Sequence, residues 1–379
     1  MDIQFRANGE NKNETHLGEG VSESEEGGEL DVIQNNEHED ELEKNSWTAP
    51  ELDTMELCAQ LIRTLNGRGD QIDQYNLYLD PQSALEWEAV SNNESYMTAH
   101  RDLPLDHAVE SIQREIERRS YLDQTSLDII SLGPGNAHTE VSLIKKLLRQ
   151  TNISKIRLYL LDISQPLLKS AGNYTRRMLK AEKMKGDKGV AITECNADFY
   201  HLSQYDLVNI SVRAKRMTLV TMFGYTFGNL KNERTWLKTS LNHFHKDTLL
   251  LMDVVMAFGN ADDENEIKAK DPLLNGESKY QKVLERWISV PFRRYREGLK
   301  DTDSITFMAQ LDETRKSIEG SYCIEIVTRL PDKAEFSTLY FKRYTTTPLL
   351  KRMGLDGWES IDGSVFGSNS LLHLFRKIS

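Results

Sequence analysis

Cysteine is scarce in this chain. Three occur in 379 residues, Cys58, Cys195 and Cys323, far apart and without CxxC or metal-ligand spacing. They read as small buried residues or free thiols in a reducing, cytoplasmic setting, and no metal is expected. Long apolar runs are missing too: no stretch of eighteen or more exists, and the N-terminus is acidic rather than basic-then-apolar. Neither a membrane span nor a signal peptide is expected from that pattern. A basic excess is absent as well. The net charge is -12, but residues 1–50 hold 14 Asp/Glu against 3 Lys/Arg, which leaves about -1 for everything after Pro50. A folded part so close to neutral argues against a nucleic-acid partner. The first glycine turn also lacks the third glycine of GxGxxG, His138 standing in its place, which disfavours a nicotinamide site.

What is present begins with an acidic tail. Residues 1–46 are rich in Glu, Asn and Gly and poor in branched and aromatic side chains, a composition that cannot offset the entropy of ordering. Residues 47–121 form an N-terminal substrate-lobe segment. Within it, Leu52, Met55, Cys58, Ala59, Ile62 and Leu65 give a helical stripe, residues 75–102 crowd aromatic and amide side chains outside a clean period, and residues 104–121 return to a helical pattern. The middle stretch has the look of a lid or substrate-facing loop.

The chain then turns to strands. Leu127, Ile129, Ile130 and Leu132 run into Gly133-Pro134-Gly135-Asn136, which opens onto the helix pattern TEVSLIKKLLRQ. Taken alone, that turn fits equally a tight strand–helix joint and a cofactor loop whose glycines let the backbone approach a ligand. A second strand, residues 156–161, ends in Asp162, placed to accept hydrogen bonds from a ribose diol. Strand and helix patterns keep alternating to residue 256, which predicts an α/β fold with a mainly parallel, doubly wound sheet. Gly133 to Asn136, Asp162, Asp198-Phe199 and Gly224 to Asn229 all fall at carboxyl ends of strands, where such sheets bind ligands. Residues 257–340 break the rhythm with a helix-like segment and two β-rich stretches, too long for a connection, and predict a smaller inserted lobe. Residues 341–379 supply a helix and two closing strands that complete the sheet.

In order and spacing, LGPGN, LLDIS, NADF and GYTFGNL resemble the S-adenosylmethionine-dependent methyltransferases, and more narrowly the histidine-specific, ergothioneine-pathway family; the match covers roughly residues 75–379. The resemblance implies a Rossmann-like class I methyltransferase sheet at residues 122–256 with a second, smaller α+β substrate lobe. It implies S-adenosylmethionine as cofactor, with Gly133 and Gly135 against its methionine part, Asp162 on the ribose, and Asp198 and Phe199 at the adenine. The family's substrate-binding Gly-x-x-x-Gly-Asn stands here as Gly224 to Asn229. An asparagine suits an amine, because its carbonyl accepts a hydrogen bond without a charge that would hold the amine protonated. Tyr78 matches a substrate-facing tyrosine, and the ring faces of Tyr78 and Phe223 suit the charge on a sulfonium or a quaternary product.

Two positions depart from the family. Its second tyrosine falls on Ser95 with Tyr96 alongside, and its histidine-reading Glu-x-Ser falls on Phe336 and Thr338, or on Glu335 and Ser337 if the register slips by one. A phenylalanine cannot replace a glutamate that bonds an imidazole. The expected activity is therefore N-methylation of a small amine, an amino acid or derivative other than free histidine. Histidine Nα-methylation, aminocarboxypropyl transfer and a non-catalytic cofactor-binding role are the alternatives.

Overall fold

Every residue of β1 (Ser126–Leu132) is buried, so the strand is covered on both faces, as in a parallel sheet clothed by helices. The computed structural model describes residues 54–67, 70–94, 103–181, 188–205, 215–279, 281–300, 303–316, 318–367 and 369–378. All of them belong to one unit, Asn45–Ser379, and the acidic tail expected over 1–46 lies outside the described residues. Strands β2 (Lys155–Asp162), β3 (Gly189–Asn196), β4 (Met217–Met222) and β5 (Thr248–Val255) join β1 in parallel. A separate antiparallel sheet holds β6 (Thr306–Leu311), β7 (Tyr322–Arg329) and β8 (Glu335–Arg343). The chain then returns to the large sheet as β9 (Trp358–Phe366) and β10 (Ser370–Lys377), with β10 antiparallel to both β5 and β9.

The large sheet runs β3-β2-β1-β4-β5-β10-β9. Strand order reverses between β1 and β4, the switch point where open α/β sheets receive ligands. This is the Rossmann-like class I methyltransferase sheet with a smaller α+β lobe that the resemblance implies.

Nine helices are described: α1 (Thr54–Asn66), α2 (Pro81–Ser91), α3 (Leu105–Glu117), α4 (His138–Gln150), α5 (Gln165–Lys180), α6 (Glu233–Thr239), α7 (Glu264–Lys270), α8 (Gln281–Tyr295) and α9 (Thr346–Leu355). None of the described helices is long and apolar enough to cross a membrane. The N-terminal segment divides between two cores. Leu61 and Leu65 of α1 and Val90 of α2 share a cluster with Trp287, Ile288 and Phe292 of α8 and with Phe336 and Leu339 of β8. In contrast, Leu105, Val109, Ile112 and Ile116 of α3 pack with Ile144, Leu147 and Leu148 of α4 on the large sheet.

Residues 81–91 are helical where the sequence suggests an irregular lid. Asp80 caps α2 by accepting the Gln82 N–H at 2.7 Å, and Pro81 occupies the first turn. The helix is served by two different neighbours, α8 on one side and a cavity on the other, so it shows no single apolar stripe. Strand β6 also escapes the sequence pattern, since its residues alternate only between exposed and half-buried.

Candidate functional site

The carboxyl ends of β1, β2, β3 and β4 open into a cavity of about 480 Å³. Its floor begins at the turn after β1, where the Gly133 N–H donates to Leu161 O at 2.9 Å and ties the turn to β2. Gly133 has φ +63, and a Cβ there would meet Thr226 Cγ2 at 3.3 Å and Phe199 Cε1 at 3.7 Å. A side chain would be strained and would also crowd the cavity's own walls. Gly135 and Ala137 are likewise left-handed, φ +54 and +57, which turns the chain sharply into α4.

Asp162 closes β2 and is buried, accepting the Ser164 N–H at 2.8 Å. Burial pushes its carboxyl up to about 7, against the pull of the Ser164 and Ile163 backbone N–H groups. Beyond β3, Asp198 accepts the Tyr200 N–H at 2.8 Å, and burial raises its carboxyl as well. Phe199 is fixed on two sides. Its ring stacks on Tyr200 with centroids 5.6 Å apart and meets Trp236 edge-on at 6.4 Å, while the Trp236 indole N–H donates to Phe199 O at 3.0 Å.

The turn after β4 is held by buried polar groups. The Tyr225 N–H donates to Asp253 Oδ1 at 3.0 Å and the Thr226 hydroxyl to Phe223 O at 2.7 Å. A 3₁₀ turn, Thr226–Asn229, follows, and Gly228 lets it lie flat on β8: a Cβ would stand 3.2 Å from Lys342 O. Lys342 reaches back from β8 to donate to Leu230 O at 2.6 Å and to the Glu233 carboxylate, which also accepts from the Tyr344 hydroxyl at 2.6 Å. Both Lys342 and Glu233 side chains are fully buried. That pair pins the lobe to the Asn229 turn. Asn229 itself lines the cavity, and its Oδ1 is buried without a partner.

The lobe supplies the facing wall. Tyr78 sits against Trp87 at 5.5 Å and Trp287 at 4.9 Å, and Trp87 and Trp287 meet at 4.8 Å. Tyr78 and Trp87 line the cavity together with Gln74, Tyr75 and Ser91. Burial and the nearby Asp162 carboxylate both raise the Tyr78 phenol. At the rim, Lys231 pairs with Asp73 at 3.2 Å, linking the two walls.

Of the residues singled out in the sequence, Tyr78, Gly133, Gly135, Asp162, Asp198, Phe199, Phe223, Gly224 and Asn229 all line this one cavity. Tyr96 lies outside the described residues. Phe336 and Thr338 do not line it, which corrects the expectation for β8. Phe336 packs edge-on against Phe292 of α8 at 5.3 Å in the lobe core, and the Thr338 hydroxyl donates to Ile326 O at 2.9 Å. The alternative register fails too, since Glu335 turns outward to Arg329 and Ser337 pairs with the backbone of Asp70 and Ile72. Beyond these residues the strand bulges: Ser337 pairs with Val327 and Leu339 with Ile326, leaving Thr338 as an extra residue. One inserted residue flips every later side chain to the other face. Leu339 therefore shares the lobe core with Phe336, and Tyr340 enters the cavity.

Sequence reasoning missed Tyr340, Trp87, Gln74, Lys231 and Glu140. Trp87 stood inside the aromatic stretch suspected of facing substrate, whereas Tyr340 carried no local signal. Glu140, in the first turn of α4, lines the cavity although only 2% exposed.

No protein-family model matches the chain, and no curated protein matches it. Among solved structures it is similar to an S-adenosylmethionine-dependent methyltransferase from Clostridium acetobutylicum, at 11% identity and TM-score 0.39 over 78% of this chain and 99% of that one. It is similar also to the CcbJ methyltransferase from Streptomyces caelestis, at 9% identity and TM-score 0.34 over 73% and 99%. A third is CalS10, an amino pentose methyltransferase from Micromonospora echinaspora, at 11% identity and TM-score 0.35 over 75% and 97%. The fold assignment rests on the strand order, not on these likenesses.

Proposed function

We propose that this chain is an S-adenosylmethionine-dependent N-methyltransferase acting on a small amine, an amino acid or derivative other than free histidine. The carrying observation is the buried, unpartnered carbonyl oxygen of Asn229 in a cavity whose other strand ends present Asp162 and Asp198. A buried acceptor left unmade costs about 1–3 kcal/mol, so Asn229 is set for a donor that arrives with the substrate.

The residues fit the cofactor. Asp162 suits a ribose diol, Asp198 with the fixed Phe199 ring suits an adenine amine and base edge, and the space kept by Gly133 suits a methionyl chain passing over bare backbone. When bound, S-adenosylmethionine supplies a methyl group already activated on a sulfonium. The protein's work is then positional. Asn229 accepts from the amine and aims its lone pair, the neutral amide leaves that amine unprotonated, and the walls exclude water. Tyr78, Trp87 and Phe223 offer ring faces to positive charge on sulfonium or product.

Histidine is disfavoured because no carboxylate from β8 reaches the cavity; Tyr340 stands there instead. An acceptor with an apolar side chain fits the Tyr75, Tyr78, Trp87 and Tyr340 wall better. Incubating the protein with S-adenosylmethionine and an amine library, then mass-analysing the products, tests this. The expected result is methylated amines with apolar side chains at higher kcat/KM than histidine. Efficient trimethylation of histidine, or no methylated amine at all, would overturn the reading.

A further inference from the structure

Four carboxyl groups line the cavity: Asp73, Glu140, Asp162 and Asp198. Asp73 has Lys231, and Asp162 and Asp198 meet backbone N–H groups at strand ends. Glu140 also meets a backbone N–H, its own, but its carboxyl is turned onto the sheet. It lies in the first turn of α4, directly after the glycine turn, and the Ser131 hydroxyl of β1 donates to its Oε1 at 2.8 Å. Among the described residues no cationic side chain pairs with it, and the charge acting on it is the like charge of Asp253. Burial, with a smaller push from Asp253, lifts its carboxyl to about 7.

A helix-terminal acid that merely complements the helix dipole needs no burial. Glu140 instead points inward, onto the sheet at the β1–β4 switch point, where an ionised carboxylate without a cation is costly. A ligand that brings a cation to the end of the glycine turn removes that cost. The methionyl part of S-adenosylmethionine carries a carboxylate and an α-ammonium on one carbon. The N-terminal end of α4 is the positive end of a helix dipole and suits the carboxylate, which leaves the ammonium for an acid beside it.

We propose that Glu140 is the residue that receives the α-ammonium of the cofactor's methionyl group, a subsite resting on the methyltransferase reading above. Asp253 stands behind it. By accepting the Tyr225 N–H it holds the Asn229 turn beside the same buried acid, so the methionyl end and the amine-accepting turn are set against one another.

Calorimetry with two probes tests the assignment. S-adenosylhomocysteine carries the amino-acid end, and 5′-methylthioadenosine lacks it. In wild-type protein both should bind. Glu140→Gln should weaken S-adenosylhomocysteine about tenfold or more, the scale of one hydrogen bond to a charged group, and leave methylthioadenosine unchanged. Equal loss for both probes, or no loss for either, overturns the Glu140 assignment while the methyltransferase reading stands. If wild-type protein binds neither probe, that reading itself falls and takes the subsite with it. A second readout needs no variant. Drawing a cation to Glu140 forces its proton off, so at pH 7 S-adenosylhomocysteine should release more protons than methylthioadenosine when titrated in buffers of different ionisation enthalpy. Equal release by the two probes counts against the proposal.

Discussion

The two walls of the cavity are built by different rules. On the large-sheet side, Gly133, Asp162, Asp198 and Gly224 stand at the last residue of a strand or within two residues of it, so their places are fixed by the run of apolar residues before them. On the lobe side, the lining residues come from helix α2, a 3₁₀ turn at Gln74–Tyr78 and the far half of a bulged strand, which meet at the core around Trp287 and Phe336. On the proposed reading the strand-end acids of the first wall serve the cofactor, and the second wall, with the Asn229 turn, shapes the acceptor. A site divided in this way can change substrate by repacking one lobe while the strand ends stay as they are.

The joint between the walls should be the most sensitive point. Lys342 and Glu233 are a fully buried pair linking β8 to the turn that carries Asn229. Lys342→Ala leaves the Glu233 charge unmatched and should cost about 3–5 kcal/mol in denaturant unfolding. A loss under about 1 kcal/mol would show that the lobe is not anchored there.

Next in size are effects on acceptor choice. Tyr340→Ala should change relative kcat/KM among amines by about tenfold, a step of one to three kcal/mol in pocket discrimination. Phe336→Leu should leave those ratios untouched and lower stability by about 1 kcal/mol, since it alters a packed ring in the lobe core. If Phe336→Leu redirects substrate choice and Tyr340→Ala does not, the bulge has been misjudged.

The smallest effect is on pH dependence. Asp162 and Glu140 are both raised to about 7 in the folded chain, so the native state holds protons that the unfolded chain has already lost. Their contribution is present at low pH and is lost as pH climbs through about 7. His373, lowered to about 4 by burial, acts with the opposite slope, but only below its ordinary value near 6.5. Between about pH 6.5 and 8 the melting temperature of the ligand-free protein should therefore fall, and Asp162→Asn should flatten the slope. A melting temperature that rises across that window contradicts the burial of both acids.

The contrast between the walls also explains what the sequence made legible. Apolar runs closed by Gly133, Asp162, Asp198 and Gly224 could be placed because a strand has a fixed period and its end is marked by a change in residue type. Helix α2 could not, because its two partners erase the amphipathic stripe, although Asp80-Pro81 was a local start signal. Tyr340 was hidden by the extra residue at Thr338, since strict alternation places it on the face of Phe336. Glu140 looked like an ordinary acid in a helix's first turn, and only its burial against Ser131 sets it apart.

The central claim is a division of labour: strand-end acids for the cofactor, Asn229 for the acceptor amine. Measuring S-adenosylmethionine affinity and methyl transfer on the same three proteins tests it most directly. Asp162→Ala should weaken cofactor binding by at least about 1 kcal/mol. Asn229→Ala should bind cofactor as wild type does, yet lose methyl transfer to amines by about tenfold or more. Loss of cofactor affinity in Asn229→Ala, or unaltered affinity in Asp162→Ala, would contradict the account.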